Sequence, residues 1–182
     1  MRAGLTALAV FALTACAMPV ADLPPSLETV RVLRNQDVPP MALGPFTAAS
    51  KEVGRSIAIR LGVLKPPKGR NFAEFLRATF ETELKAAGKL DPASPLQLGG
   101  VLTESRASED IKKGGGSLGA RITLSRGGRP VFAKDYHVET KWHSDFIGAI
   151  AIEEAYQQYN ALYAALVRQV LSDPEFVTAA KQ

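Results

Sequence analysis

Residues 149–171, AIAIEEAYQQYNALYAALVRQVL, decide the fold. At about 100° per residue, Ile152, Ala155, Tyr156, Tyr159, Leu162, Tyr163, Leu166 and Val170 share one face, which predicts an amphipathic helix. At a rise of ~1.5 Å per residue it is roughly 35 Å long, enough to cross a whole sheet. Asp173-Pro174 ends it. The opposite face carries Gln157, Gln158, Ala161, Ala164 and Ala165. It is poor in charge for a solvent face and suits a partner helix or self-association.

A helix this long needs a sheet to cover, and the sequence ahead of it supplies one. Three strands are predicted at 96–105, 118–125 and 130–140, with Arg126-Gly127-Gly128-Arg129 as the hairpin turn between the last two. In the middle one, Leu118, Ala120, Ile122 and Leu124 alternate with Gly119, Arg121, Thr123 and Ser125, the period of a half-buried strand. Before them, Asn71 opens a second helix, with Glu74 three residues on as in a capping box. Phe72, Phe75, Leu76 and Phe80 form its apolar face and Gly88 stops it. Further upstream, 27–34 is rich in Val and Thr and predicts a strand, followed by a loop containing Pro39-Pro40 and Pro45. Alternation of Ile57, Ile59, Leu61 and Val63 with Ala58, Arg60 and Gly62 predicts another strand, ended by Pro66-Pro67.

Two amphipathic helices and a half-polar sheet can bury their apolar sides only against one another. The expected fold is therefore α+β: a two-layer sandwich, its mostly antiparallel sheet of four to five strands covered on one face by two helices. Residues 27–182 form one domain, with no internal repeat.

The N-terminus carries an address. Arg2 is followed by the apolar run Leu5 to Leu13, then Thr14-Ala15 and Cys16, the only cysteine. Such a run is too short to span a bilayer, which takes about 20 apolar residues, and has the parts of a secretory signal. Leu13-Thr14-Ala15-Cys16 resembles the lipobox of bacterial lipoproteins. That resemblance implies a signal peptide at 1–15 and a diacylglyceryl group on the Cys16 thiol, usually with a further acyl chain such as palmitate on the freed amine. Two or more chains hold a protein stably on a membrane. Ala17, where aspartate would favour inner-membrane retention, implies the outer membrane, with the domain facing the periplasm. Residues 16–26, with Pro19, Pro24 and Pro25, predict a semi-extended tether.

Hydrophobic residues make up 46% of the chain and charged residues 22%, so a real core is available to a domain that has no cysteine left for a disulfide. The formal charge of +4 permits contact with anionic lipid but gives no case for nucleic acid. The order of elements resembles a group of small periplasmic α/β lipoproteins: the YajG type, the auxiliary lipoproteins of envelope ABC transport systems, and the LptE component of lipopolysaccharide assembly. The resemblance implies a non-catalytic accessory of a larger envelope machine and carries over no functional residue except Cys16.

Several motifs resemble chemistry. Gly115-Gly116-Ser117-Leu118-Gly119 satisfies G-x-S-x-G, and Asp135 and His137 follow in hydrolase order. That motif requires a strand before the serine and a helix after it. Here a Lys-Gly loop precedes and a strand follows. Gly114-x-Gly116-x-x-Gly119-Ala120 mimics a dinucleotide fingerprint, but no helix starts there to face a pyrophosphate, and a flexible hairpin connection is expected. His137 and His143, near Trp142 and Asp145, match no zinc spacing. Neither a cofactor nor a metal is implied.

Glu83 falls on the apolar face of the first helix and is expected to reach solvent from its last turns, or else to pair with a basic residue of the sheet or line a pocket. Candidate interaction residues are Lys65, Lys68 and Arg70 around Pro66-Pro67, Lys112 and Lys113 before the triple glycine, and Tyr156, Tyr159 and Tyr163. The tyrosines suit core packing or a docking surface that is part wet and part apolar. The expected function is a lipid-anchored accessory docking on an envelope complex. A carrier for an apolar ligand would require a cavity between sheet and helices, and a hydrolase would require Ser117, Asp135 and His137 to converge.

Overall fold

The computed structural model describes residues 17–19, 22–60, 62–67, 69–110, 112–145 and 147–182. The lipobox, Cys16 and Lys68 lie outside the described residues, as does Leu61. In chain order the elements are β1 (Ala17–Pro19), α1 (Leu27–Asn35), β2 (Ala42–Ala48), α2 (Lys51–Gly54), β3 (Ile57–Ile59), β4 (Gly62–Lys65), α3 (Phe72–Ala87), β5 (Leu96–Asp110), β6 (Lys113–Arg126), β7 (Arg129–Trp142), α4 (Gly148–Leu171) and α5 (Pro174–Lys181). The main sheet has the order β2-β5-β6-β7, and a small second sheet has the order β1-β4-β3. β5, β6 and β7 form an antiparallel meander, whereas β2 joins β5 in parallel.

The α+β expectation holds. Leu118, Ala120, Ile122 and Leu124 of β6 are fully buried and face the helices. Between the layers lie Phe72, Phe75, Leu76 and Phe80 of α3 with Tyr159, Tyr163 and Leu166 of α4, all at most 1% exposed. Phe75 and Tyr163 meet edge to face, their ring centroids 4.6 Å apart. The capping box at Asn71 and the left-handed Gly88 cap define α3 as the sequence predicts.

Four local expectations are corrected. The predicted strand at 27–34 is helix α1. Ser26 accepts from the Thr29 N–H, and the helix buries Thr29 and Leu33, one turn apart. Burial against α3 overrides the strand preference of Val and Thr. The predicted loop at Pro45 contains β2, where proline is tolerated because this is an edge strand and the ladder shifts between Leu43 and Phe46. The predicted strand at 57–63 is a hairpin, with Ile57 opposite Leu64 and Ile59 opposite Gly62, so one alternating run spans a turn.

The triple glycine is the fourth correction. It lies inside β6 rather than in a loop, because β5 and β6 keep pairing out to Asp110 and Lys113. A Cβ at Gly114 would collide with the Trp142 indole. One at Gly116 would come within 3.0 Å of Leu162 Cδ1. Glycine is required here for close approach. The left-handed backbone sits instead at Lys112, in the turn itself (φ 72°).

The tether also departs from expectation. β1 pairs in parallel with β4, Ala17 opposite Val63 and Pro19 opposite Lys65. Asp22 then pairs with Arg70 at 2.7 Å, and the Ser26 N–H donates to Glu83 at 2.8 Å. Residues 17–19 and 22–26 lie along the domain rather than standing off it. Asp173 does more than end α4: its side chain accepts from the Glu175 N–H and caps α5, which the sequence reading did not include. Among the described residues, no helix is long and apolar enough to cross a membrane.

Candidate functional site

Side chains of a strand alternate between faces, so burying one face of β5–β7 under α3 and α4 leaves the other uncovered. Among the described residues no layer packs on it. Its residues in β6 are Gly115, Ser117, Gly119, Arg121, Thr123 and Ser125, small except for one arginine.

A shift in the β5–β6 ladder between Leu102 and Glu104 builds the face's polar centre. Leu96, Leu98 and Leu102 point to the helices, and after the shift Ser105 does so, leaving Glu104 and Arg106 on the open side. Glu104 lies opposite Gly119, and Gly119 lies opposite His137. With no side chain at Gly119, the two flanking residues meet above it, His137 Nδ1 standing 3.4 Å from Glu104 Oε2. Ser117 Oγ donates to Glu104 Oε1 at 2.6 Å, and Arg106 stands 3.6 Å from the same oxygen. Beside this cluster runs a shallow trough of about 400 Å³, floored by Ser108, Gly115 and Ser117 and bounded by Ile57 and Lys141.

The carboxylate is the hub of this cluster, and that decides its chemistry. In a hydrolase triad the histidine takes the serine proton and the acid orients the histidine. Here Ser117 directs its proton to Glu104, and Asp135 pairs with Arg121 at 3.1 Å. Ser117 sits mid-strand and not on a strained elbow. The convergence of Ser117, Asp135 and His137 that a hydrolase would require does not occur. What the face offers is a cluster of charged and polar side chains on a floor of small residues.

The other candidates fall in different places. Tyr159 and Tyr163 are fully buried, which corrects their assignment to an interaction surface. Their hydroxyls form a chain with Ser105, 2.6 Å from Ser105 to Tyr159 and 3.0 Å from Tyr159 to Tyr163. Burial pushes both phenols far above the ordinary tyrosine range. Tyr156 is half-buried. Lys65 ends β4 and Arg70 is engaged by Asp22, whereas Lys112 and Lys113 occupy the tip of the β5–β6 hairpin. Asp145 Oδ1 accepts from the Ile147 N–H at 2.7 Å. No group of three or more His, Cys, Asp or Glu among the described residues is placed to hold a metal.

Glu83 does not reach solvent and, among the described residues, has no basic partner. It is 2% exposed, one oxygen accepting from Ser26 and the other buried without a hydrogen bond. Burial raises its pKa, opposed by the Ser26 N–H. Sequence reasoning missed Glu104 and Arg106. The phase change from buried Leu96, Leu98 and Leu102 to buried Ser105 that exposes them is set by the ladder and has no mark in the sequence.

A second polar cluster ties β7 to α5. Asp173 accepts from the Tyr136 hydroxyl at 2.7 Å and from Lys134 at 2.9 Å. Partial burial works against its charge, but those donors and the Glu175 N–H outweigh it and hold the Asp173 carboxyl below the usual range. Desolvation, with Asp173 opposite, pushes the Tyr136 phenol up.

No family model and no curated protein matches the sequence. Among solved structures the chain is similar to a Xanthomonas campestris protein of the DUF330 family, with a TM-score of 0.58 at 14% identity over 86% of this chain and 95% of that one. It also aligns with a Caulobacter crescentus protein assigned as a lipoprotein, TM-score 0.49 and 14% identity over 85% of this chain and 96% of that one. A Chlamydia trachomatis protein aligns at 0.46 and 11% identity, over 78% of this chain and 99% of that one. The first comparison establishes a shared fold.

Proposed function

We propose that this chain is a lipid-anchored, non-catalytic accessory lipoprotein of the Gram-negative envelope, carried on the outer membrane through Cys16 and docking on a transport or assembly complex in the periplasm. The observation that carries the docking role is the uncovered sheet face, with its polar cluster of Glu104, Arg106 and His137 and its floor of glycine and serine. Small side chains let a partner approach the backbone closely, and the charges set its orientation. The Leu13–Cys16 motif supports the anchor, and the fold shared with the Xanthomonas protein is consistent with a bacterial origin. The space between sheet and helices is filled by buried aromatic and aliphatic side chains, so the carrier reading gains no support.

The test places a photo-crosslinking amino acid at Arg106 of the full chain in a Gram-negative host, with a Cys16→Ala control and labelling by an alkynyl fatty acid. The expected result is label lost in the control, together with a discrete crosslink to an envelope-complex protein that also disappears. Label on Cys16 with crosslinks to bulk lipid alone would overturn docking and leave the anchor standing.

A further inference from the structure

β7 is an open edge. Among the described residues its backbone is hydrogen-bonded to β6 and to no other element. From Phe132 to Trp142 its pairing with β6 is regular. Such an edge is a template for another strand, and the side chains along this one specify which strand fits.

We propose that two copies of this chain pair edge to edge through β7, antiparallel about a two-fold axis at Val138, so that two four-stranded sheets become one of eight. Self-complementarity of charge carries this assignment. With the axis at Val138, Asp135 lies opposite Lys141 of the second copy and the His137 imidazole lies opposite the Glu139 carboxylate, each pair occurring twice by symmetry. All four are on the open face; the directly opposed charges of Asp135 and Lys141 stabilise a sheet pair, and the imidazole offers Glu139 a hydrogen-bond partner. Neighbouring registers fail this test. An axis at His137 sets Asp135 against Glu139, and an axis at Glu139 sets that residue against its own copy and His137 against Lys141. An axis at Tyr136 keeps only the Asp135–His137 match. In the Val138 register the helix-side pairs are Val138 with Val138, Tyr136 with Thr140 and Lys134 with Trp142, none of which opposes like charges.

A second observation agrees. A groove of about 540 Å³ adjoins this edge, lined by Val138 and Glu139 on the strand and by Ala165, Arg168 and Gln169 on α4. On this side of the helix Arg168 is paired with Glu28 of α1 at 2.7 Å, and Ala165 is small and uncharged. Continuing the sheet through β7 brings the two α4 helices beside each other across the axis, and Ala161 and Ala165 leave room for that approach. The opposite edge of the sheet cannot do the same, since β2 is short, carries Pro45 and shifts register at that point.

The experiment uses the full chain, extracted from membranes in detergent and followed by sedimentation velocity. The wild type is expected to be a dimer. Asp135→Lys puts two lysines in opposition at both ends of the pairing, and Lys141→Asp puts two aspartates there. Each is expected to weaken dimerisation at least tenfold. Mixed, the two variants are complementary and should recombine into a heterodimer, which misfolded chains could not do. A Val138→Cys variant is the second arm, because a cysteine on the axis faces its own copy and should give a covalent dimer on mild oxidation. A monomeric wild type, single variants that remain dimeric, or no covalent dimer at position 138 would each overturn the proposal.

Discussion

At one side of the sheet β2 contributes 7 residues, parallel to its neighbour and interrupted at Pro45; at the other, β7 contributes 14, antiparallel and regular from Phe132 onward. The β2 edge is closed by its own chemistry. Pro45 has no N–H to offer, and the Gly44 carbonyl accepts from Arg77 Nε at 3.3 Å. The Phe46 ring is turned inward, its centroid 5.5 Å from that of Phe80. The β7 edge is protected only by charge, and charge selects among partners where proline excludes them all. One edge is a boundary and the other a surface with a preference.

That contrast can be broken at either side. The largest effect is expected from Phe46→Ala, which removes the ring holding β2 against α3 and should cost about 3–5 kcal/mol. Urea unfolding measures it; a loss below about 1 kcal/mol would mean that β2 is held by its ladder alone. At the far end of β7, Gly114→Ala drives a methyl into the Trp142 indole and should cost about 1–3 kcal/mol. Tryptophan fluorescence reports it directly, since Trp142 is the only tryptophan. An unchanged spectrum with unchanged stability would show that the indole moves aside freely.

Asp173→Asn sharpens the comparison by testing how firmly β7 is tied to α5. It should cost about 1 kcal/mol at neutral pH, modest because the Lys134 partner is partly exposed. The Asp173 pKa is lowered on folding from 3.8, so its stabilisation is present above that value and is lost as pH falls through the folded one. The gap between wild type and variant should therefore close below about pH 4. A gap that persists under acid would place the effect in the neutral hydrogen bond from Tyr136. The smallest effect is expected from Arg77→Met, which frees the Gly44 carbonyl for about 0.5 kcal/mol. If amide exchange through β2 quickens while the unfolding midpoint barely moves, Arg77 guards the edge and does not support the fold.

The layer that makes the fold was readable because burial repeats with a period. Leu118 to Leu124 and Phe72 to Phe80 each show one face, and Asn71, Gly88 and Gly127-Gly128 mark ends by local stereochemistry. The N-terminal third was not readable in the same way. Thr29 and Leu33 look like strand residues until α3 is in place to bury them, and 57–63 keeps its alternation through a turn. The open-face cluster was hidden for another reason. Glu104 and His137 are 33 positions apart, and what unites them is a missing side chain at Gly119 and a one-residue change of phase in β5. Only the sheet register brings these together.

The short strand β1 has a mechanical consequence. It lies parallel to β4 over three residue pairs, and the chain behind it is fastened again at Asp22 and Ser26. A pull arriving along the strand from Cys16 meets that ladder in shear, with its hydrogen bonds loaded together and not unzipped in turn. Were Cys16 the anchor proposed above, the domain would ride close to the membrane under light load. Under heavier load it would pay out line in steps, first at β1, then at Arg70, then at Glu83, before the sheet itself felt the tension.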